Sequence, residues 1–239
     1  MLNREQVITT IISAQSRKSL YHFTRVSNLP ALAHFDTVLS SYSLHPHLAG
    51  ERRIKPKEVI YDHYTATINA HLRIPESMMD AAWTLEQFRA ALDRHVFFWP
   101  TLKDCQKMLD TYTRREPGEM FAVLELEAYS LMLDHYPAVK LSKYDSGSSP
   151  RFPKHCTYKK SPDMFLPLDE FKIKRNHTVP VNPSEIREVL FEEQVKHITK
   201  YLRSIYIEDS KMIPERWQRL ARPLSELFIV QGFQDHTNK

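Results

Sequence analysis

Apolar positions along the first part of the chain recur with helical and strand periods in turn. Val7, Ile8, Ile11 and Ile12 fall on one face of a 3.6-residue repeat, which predicts a helix over 3–15. Leu20-Tyr21-His22-Phe23 predicts a short strand over 19–24. Asn28 reads as an N-cap, and Pro30 is tolerated in the first turn of a helix over 29–35. Length and spacing predict a further helix over 57–73, ended by Pro75. Thr84 and Gln87 have the spacing of a capping box opening a helix that runs to Asp93. The compact run His95-Val96-Phe97-Phe98-Trp99 predicts a strand stopped by Pro100, and Thr101 caps a helix to about residue 112. Strands are predicted over 120–126 and 186–191, with a C-terminal part that is mostly helical. Strands are interspersed with helices instead of alternating strictly with them, so the expected class is α+β, not a doubly wound sheet. One domain over 1–239 is expected.

Composition narrows the chemistry. At 239 residues, 42% hydrophobic and 26% charged, the chain can bury a core of ordinary globular kind. Four glycines in all leave no Gly-rich phosphate loop. No apolar run reaches the roughly 18–20 residues that span a bilayer, and the polar start Met-Leu-Asn-Arg-Glu-Gln carries no signal-peptide core. Cys105 and Cys156 form no CxxC pair, which argues against a disulfide framework or a structural zinc site. A cytoplasmic protein without a membrane partner is the expectation.

The net charge of +4 is unevenly placed. Residues 140–175 hold nine basic and four acidic side chains, so the surplus resides in this one segment. Tyr144, Phe152, Tyr158, Phe165 and Phe171 are interleaved with it, as are Pro150, Pro153, Pro162 and Pro167. Basic groups attract phosphates and aromatic faces stack on unpaired bases. The segment 140–184, with Lys154, Lys159, Lys160, Lys172, Lys174 and Arg175, is therefore a candidate surface for single-stranded nucleic acid. A solvated, proline-broken loop whose rings dock on the core accounts for the same composition.

Other chemistry is sparse. Twelve histidines show no HExxH or Cys/His ligand spacing; His45, His47, His63 and His71 are the nearest, and no metal is expected. Cys105 lies inside an amphipathic helix and reads as a small buried hydrophobe. Ser146-Gly147-Ser148-Ser149 reads as a flexible turn.

Three segments form an order: Leu20-Tyr21-His22-Phe23-Thr24 followed by Asn28-Leu29, then His95-Val96-Phe97-Phe98-Trp99-Pro100, then Arg187-Glu188-Val189-Leu190-Phe191. Together they resemble the His, aromatic strand, Glu pattern of the ADP-ribosyltransferase superfamily. Within it the chain resembles the DarT-type nucleic-acid ADP-ribosyltransferase toxins and their CmdT-type mRNA-modifying relatives. The residues that carry the resemblance are Tyr21, His22, Thr24, Asn28, Leu29, the pair Arg52 and Arg53, and Glu188. It spans the first hundred residues and the strand at Glu188. The stretch between the Tyr-His-x-Thr strand and the arginine pair is shorter here, which leaves open whether Arg52, Arg53 or neither is the functional arginine.

The resemblance implies an ADP-ribosyltransferase-like fold, a split central mixed or antiparallel sheet flanked by helices around an NAD cleft. It implies an NAD-dependent transferase with NAD as co-substrate. Breaking the bond to nicotinamide passes through an oxocarbenium-like ribose, which a carboxylate stabilises. Glu188 is implied in that role, with His22 on a ribose hydroxyl and Arg52 or Arg53 on the pyrophosphate. Glu185, Glu192 and Glu193 compete with Glu188 for the carboxylate. Tyr21, Thr24 and Asn28 would line the same site, and Phe97, Phe98 or Trp99 would wall the nicotinamide and exclude water. The basic stretch 172–184 before the Glu strand favours a phosphate-bearing acceptor. RNA is favoured over DNA through the CmdT-type resemblance alone, which also implies a toxin in phage defence, a neutralising antitoxin and a SecB-like chaperone. A protein-directed transferase and a non-enzymatic nucleic-acid-binding module are the alternatives.

Overall fold

The computed structural model describes residues 2–150 and 152–227; the side chain of Lys154 lies outside the described residues. In chain order the elements are α1 (Arg4–Ile11), β1 (Ser19–Arg25), α2 (Leu29–Phe35), β2 (Thr37–Leu39), α3 (Ser41–Leu44), β3 (Lys57–Tyr61) and β4 (Tyr64–Ile68). There follow α4 (Leu85–Asp93), β5 (His95–Phe98), α5 (Leu102–Arg115), β6 (Phe121–Glu127), α6 (Ala128–Asp134), β7 (Val139–Ser142) and β8 (Leu166–Pro167). The last are β9 (Glu188–Glu192), β10 (Gln194–Lys196), β11 (Leu202–Ile207) and β12 (Ala221–Pro223).

Two four-stranded sheets carry the molecule, in the orders β1-β6-β11-β12 and β5-β9-β7-β8. The first is mixed, since β12 runs parallel to β11, and the printed pairings of the second are antiparallel. They meet at one backbone pair, where the Tyr21 and Trp99 amides donate to each other's carbonyls at 2.9 and 2.8 Å, and then part. The α+β class with a split mixed and antiparallel centre is the expected one.

The strand β9 lies between β5 and β7 and is buried on both faces, which is why Val189-Leu190-Phe191 is an unbroken apolar run. Val189 and Phe191 enter the main core with Phe98 and Leu124, while Leu190 packs on the other side with Phe88, Leu92 and Phe165. Side chains alternate along a strand, so Glu188 shares the face of Leu190. Phe97 pairs with Leu190 and points the same way.

Four expectations change. Residues 57–73 form no helix: β3 and β4 are an antiparallel hairpin turning at Asp62 and His63, both at positive φ. Val59, Ile60, Thr65, Thr67 and Ile68 are β-branched, and a hairpin buries Val59, Ala66 and Ile68 where no helix face would align them. The helix predicted over 3–15 ends at Ile11, and the chain turns so that Arg17 donates to the Ile186 carbonyl at 3.3 Å. Up to residue 227 the C-terminal part is not mostly helical, and the rest of that prediction lies outside the described residues; β11 buries Leu202, Ile205 and Ile207 and leaves the residues between them more exposed. Asn28 is no side-chain cap for α2: its amide donates to the Thr67 carbonyl at 3.1 Å and accepts from Thr67 N at 2.8 Å, pinning the hairpin to α2.

Among the described residues no helix is long and apolar enough to cross a membrane.

Candidate active site

Where the two sheets part, a cleft of about 220 Å³ opens between β1, β5, the hairpin β3–β4 and the head of β9. His22 and Glu188 both line it, together with Thr24, Asn28, Arg53, Phe97 and Trp99. Residues separated by more than a hundred positions thus share one wall system.

Glu188 lines the cleft from the head of β9 and is only 2% exposed. Its Oε2 accepts from Ser146 twice, from Oγ at 2.6 Å and from the backbone N–H at 3.1 Å. Oε1 is therefore the oxygen left for the cleft. Burial, then the nearby Asp145, push this carboxyl well above its usual range, while Ser146 and Lys160 pull it back. The three competing acids are spent elsewhere. Glu185 accepts from the Val181 and Asn182 amides and pairs with Lys143, Glu192 pairs with Lys140, and Glu193 pairs with Arg94.

His22 is partly shielded and keeps one edge on the cleft. Its Nδ1 lies 2.8 Å from the Phe97 carbonyl, which only accepts, so Nδ1 carries the proton and Nε2 is a bare acceptor. Burial lowers its pKa to about 4, partly offset by that bond, so the ring is neutral at physiological pH. Phe98 lies beneath it, ring centroids 5.1 Å apart, and packs edge-on against Phe191. Strand alternation thus sends Phe98 into the core and Phe97 and Trp99 to the cleft. Tyr21 does not line the cleft either; it packs beside Phe23 and Trp99, and burial and Glu125 push its phenol well up.

The two arginines separate cleanly. Arg52 is exposed and stands outside the cleft, whereas Arg53 is buried in its wall. Arg53 grips Asp93 with both Nη atoms, at 2.5 and 3.0 Å, and donates to the Asn69 and Leu48 carbonyls. Its second Nη2 proton faces His71 Nε2 at 3.1 Å. His71 Nδ1 accepts the Arg53 backbone N–H, so Nε2 must itself be protonated to bond Asp93 at 3.1 Å and cannot accept. Four of five guanidinium protons are thus bound and one is left over. Asp93 is raised by burial, yet bonds from His71 and Arg53 outweigh this and hold it below the usual carboxylate range.

The basic segment divides. Lys160 is fully buried, and its ammonium donates to the Asp145 and Ser146 carbonyls at 2.7 and 2.9 Å, which removes it from any surface that meets nucleic acid. Burial depresses its pKa, opposed by Asp145 and Glu188. Lys159, Lys172, Lys174 and Arg175 are exposed; Lys159 donates to the Ser77 carbonyl and Lys174 pairs with Glu170 at 3.5 Å.

Sequence reasoning missed three functional features. Ser146 sits in no flexible turn: it is fully buried and holds Glu188. His95 lines the cleft, donates Nδ1–H to the Ala91 carbonyl at 2.6 Å, and leaves Nε2 buried without a partner. Asp93, at the end of α4, neutralises Arg53. None had a local signal, because each acts on a residue more than 30 positions away or through a backbone turn.

Among the described residues no group of three or more His, Cys, Asp or Glu side chains is arranged to hold a metal ion. Buried Cys105 sits in α5, and burial pushes its thiol well up, as a small hydrophobe requires.

Solved structures with some likeness are those of Thermus sp. 2.9 DarT. The complex with carba-NAD+ is 12% identical at a TM-score of 0.40, covering 88% of this chain and 95% of that one. The complex with ADP-ribosylated ssDNA is 10% identical at 0.41, covering 87% and 92%. The complex with NAD+ is 13% identical at 0.40, covering 87% and 93%. No curated protein matches the chain. Residues 18–202 match the family described as a family of unknown function, DUF7002, and the chain belongs to that family.

Proposed function

We propose that this protein is an NAD-dependent ADP-ribosyltransferase that modifies single-stranded nucleic acid. The observation that carries the reading is the meeting of Glu188 and His22 on one cleft, from strands in different sheets. The residues suit the dinucleotide as substrate. Neutral His22 offers Nε2 to a ribose hydroxyl, and Phe97 and Trp99 supply an apolar wall for the nicotinamide ring that excludes water. Glu188 Oε1 faces the space where positive charge develops on the ribose. Its raised pKa favours the protonated carboxyl, and the cationic nicotinamide ring favours release of that proton. The carboxylate then forms where the charge needs it, and accepts the proton of the incoming nucleophile. Arg53 fixes the wall through Asp93 and His71, and the only proton it has left for a pyrophosphate oxygen is the Nη2 proton on the side of His71.

The exposed run 172–177, with Lys172, Lys174 and Arg175, supports a polyanionic acceptor beside this site. The same two ligand classes occur in the Thermus sp. 2.9 DarT complexes. We take RNA, mRNA in particular, as the acceptor, and a cytoplasmic toxin of phage defence with a cognate antitoxin and a SecB-like chaperone as the setting; the CmdT-type sequence resemblance supports these finer assignments.

The test is incubation of the purified protein with labelled NAD and a mixture of RNA, DNA and protein. Label in a ribonuclease-sensitive product, lost in Glu188→Gln with the fold intact, is expected. Label in a protease-sensitive product redirects the reading to protein acceptors, and no label in any product with no nicotinamide released overturns it.

A further inference from the structure

A second cavity, of about 460 Å³, abuts the cleft and is lined by three arginines, Arg52, Arg73 and Arg89. Arginines in this molecule are otherwise commonly paired: Arg25 with Glu116 and Glu119, Arg53 with Asp93, Arg94 with Glu193, Arg187 with Asp104. Among the described residues no carboxylate lies within ion-pairing distance of Arg52, Arg73 or Arg89, although Glu76 lines the same cavity. Arg89 makes one bond, to the Gly50 carbonyl at 3.1 Å, which fixes its direction. Three guanidinium groups line one cavity without an ion-pair partner, and their forked donors suit phosphate oxygens.

The position of the cavity says which phosphate. It shares His71, Leu72, Leu92 and Gly147 with the cleft, and Gly147 follows Ser146, the residue that holds Glu188. On its other flank this segment is tied to the exposed basic run, because Tyr144 Oη donates to the His177 carbonyl at 3.0 Å. Positive charge therefore borders the carboxylate segment on both sides. A single strand crossing this segment would meet that charge on either side of the nucleotide at Glu188.

We propose that the Arg52–Arg73–Arg89 cavity binds a backbone phosphodiester of the single-stranded acceptor, next to the nucleotide presented to Glu188. The inference rests on the nucleic-acid reading of the site and adds residues outside the segment 140–184. DNA and RNA share the phosphodiester, and the experiment uses both.

The measurement is fluorescence anisotropy of labelled single-stranded RNA and DNA oligonucleotides against salt concentration, for the parent, Arg73→Glu and Arg89→Gln. Arg73 is exposed, so its reversal leaves the fold intact, which the melting temperature checks. Arg114→Glu, an exposed site on α5, controls for net charge. Weaker binding of both oligonucleotides is expected, with a log–log salt slope shallower by about 0.7 for each lost contact, and a smaller effect of Arg114→Glu. Equal effects of Arg73→Glu and Arg114→Glu overturn the proposal, as does a parent that binds neither oligonucleotide. A raised NAD requirement with oligonucleotide binding unchanged also overturns it, by giving the cavity to the pyrophosphate. Loss of oligonucleotide binding in Arg73→Glu, in a protein whose parent releases no nicotinamide, upholds the phosphate site while sinking the transferase reading.

Discussion

Ser146→Ala removes the hydroxyl that grips the candidate catalytic acid and leaves everything else around it in place. The Oγ–Oε2 contact is 2.6 Å and buried, so with Glu188 ionised it is a charge-assisted bond of about 1.5–3 kcal/mol. The backbone N–H of Ser146 still donates at 3.1 Å, and Lys160 still holds the segment through two carbonyls. The hydroxyl favours the ionised form, so losing it raises the Glu188 pKa further, by about 1–2 units at 1.36 kcal/mol each. The assay is nicotinamide release from NAD across pH: the acid limb moves to higher pH by that amount and the alkaline plateau is largely kept. Stability supplies a second readout with a defined sign. A carboxyl whose folded pKa lies above its ordinary 4.5 contributes stability that is complete below that value and is lost as pH rises through the folded value. The variant should accordingly lose more stability against the parent at alkaline than at acid pH, measured by urea denaturation. An acid limb that stays put while the rate falls equally at every pH refutes the assignment, since packing alone would do that.

Three further outcomes follow from the coordinates. His22 and His95 are held near pKa 4 by burial against an ordinary 6.5, so each lends stability that is complete above 6.5 and lost as pH falls through 4, up to about 3 kcal/mol apiece; His95→Gln should flatten the urea-midpoint profile over that window, and an unchanged slope counts against it. Arg25→Ala leaves the partly buried Glu116 and Glu119 facing each other without their cation and should cost about 3 kcal/mol, with a loss under 1 kcal/mol showing that the pair is not structural. Gly50→Ala, at φ +79 and with a Cβ 2.9 Å from the Glu86 carbonyl, should lower the melting temperature by a shift worth about 1–2 kcal/mol, and a neutral result would mean that the α4 start yields.

Local pattern alone set much of this protein. The Thr84–Gln87 capping box, the strand at His95, the helix capped by Thr101 and the strand headed by Glu188 all follow from residues within a few positions of each other. So does the placing of His22 in the first strand, because Leu20-Tyr21-His22-Phe23 is a local run rich in strand-favouring aromatic residues. Tertiary structure decided what those residues face. Arg52 and Arg53 are adjacent and chemically identical, and only Asp93 and His71, brought from α4 and the loop after β4, make one a wall of the cleft and leave the other for the second cavity. Lys160 looked like its basic neighbours until the fold buried it under Ser146, and the Ser-Gly-Ser-Ser turn looked mobile until Glu188 arrived from 42 positions away. The length of 57–68 fits a helix and a hairpin equally well, and packing on Asn28 and Leu48 makes it a hairpin. Charge and hydrogen-bond partners are long-range quantities in sequence and short-range in space, so a chain read residue by residue yields the parts, and only the folded contacts assign each part its task.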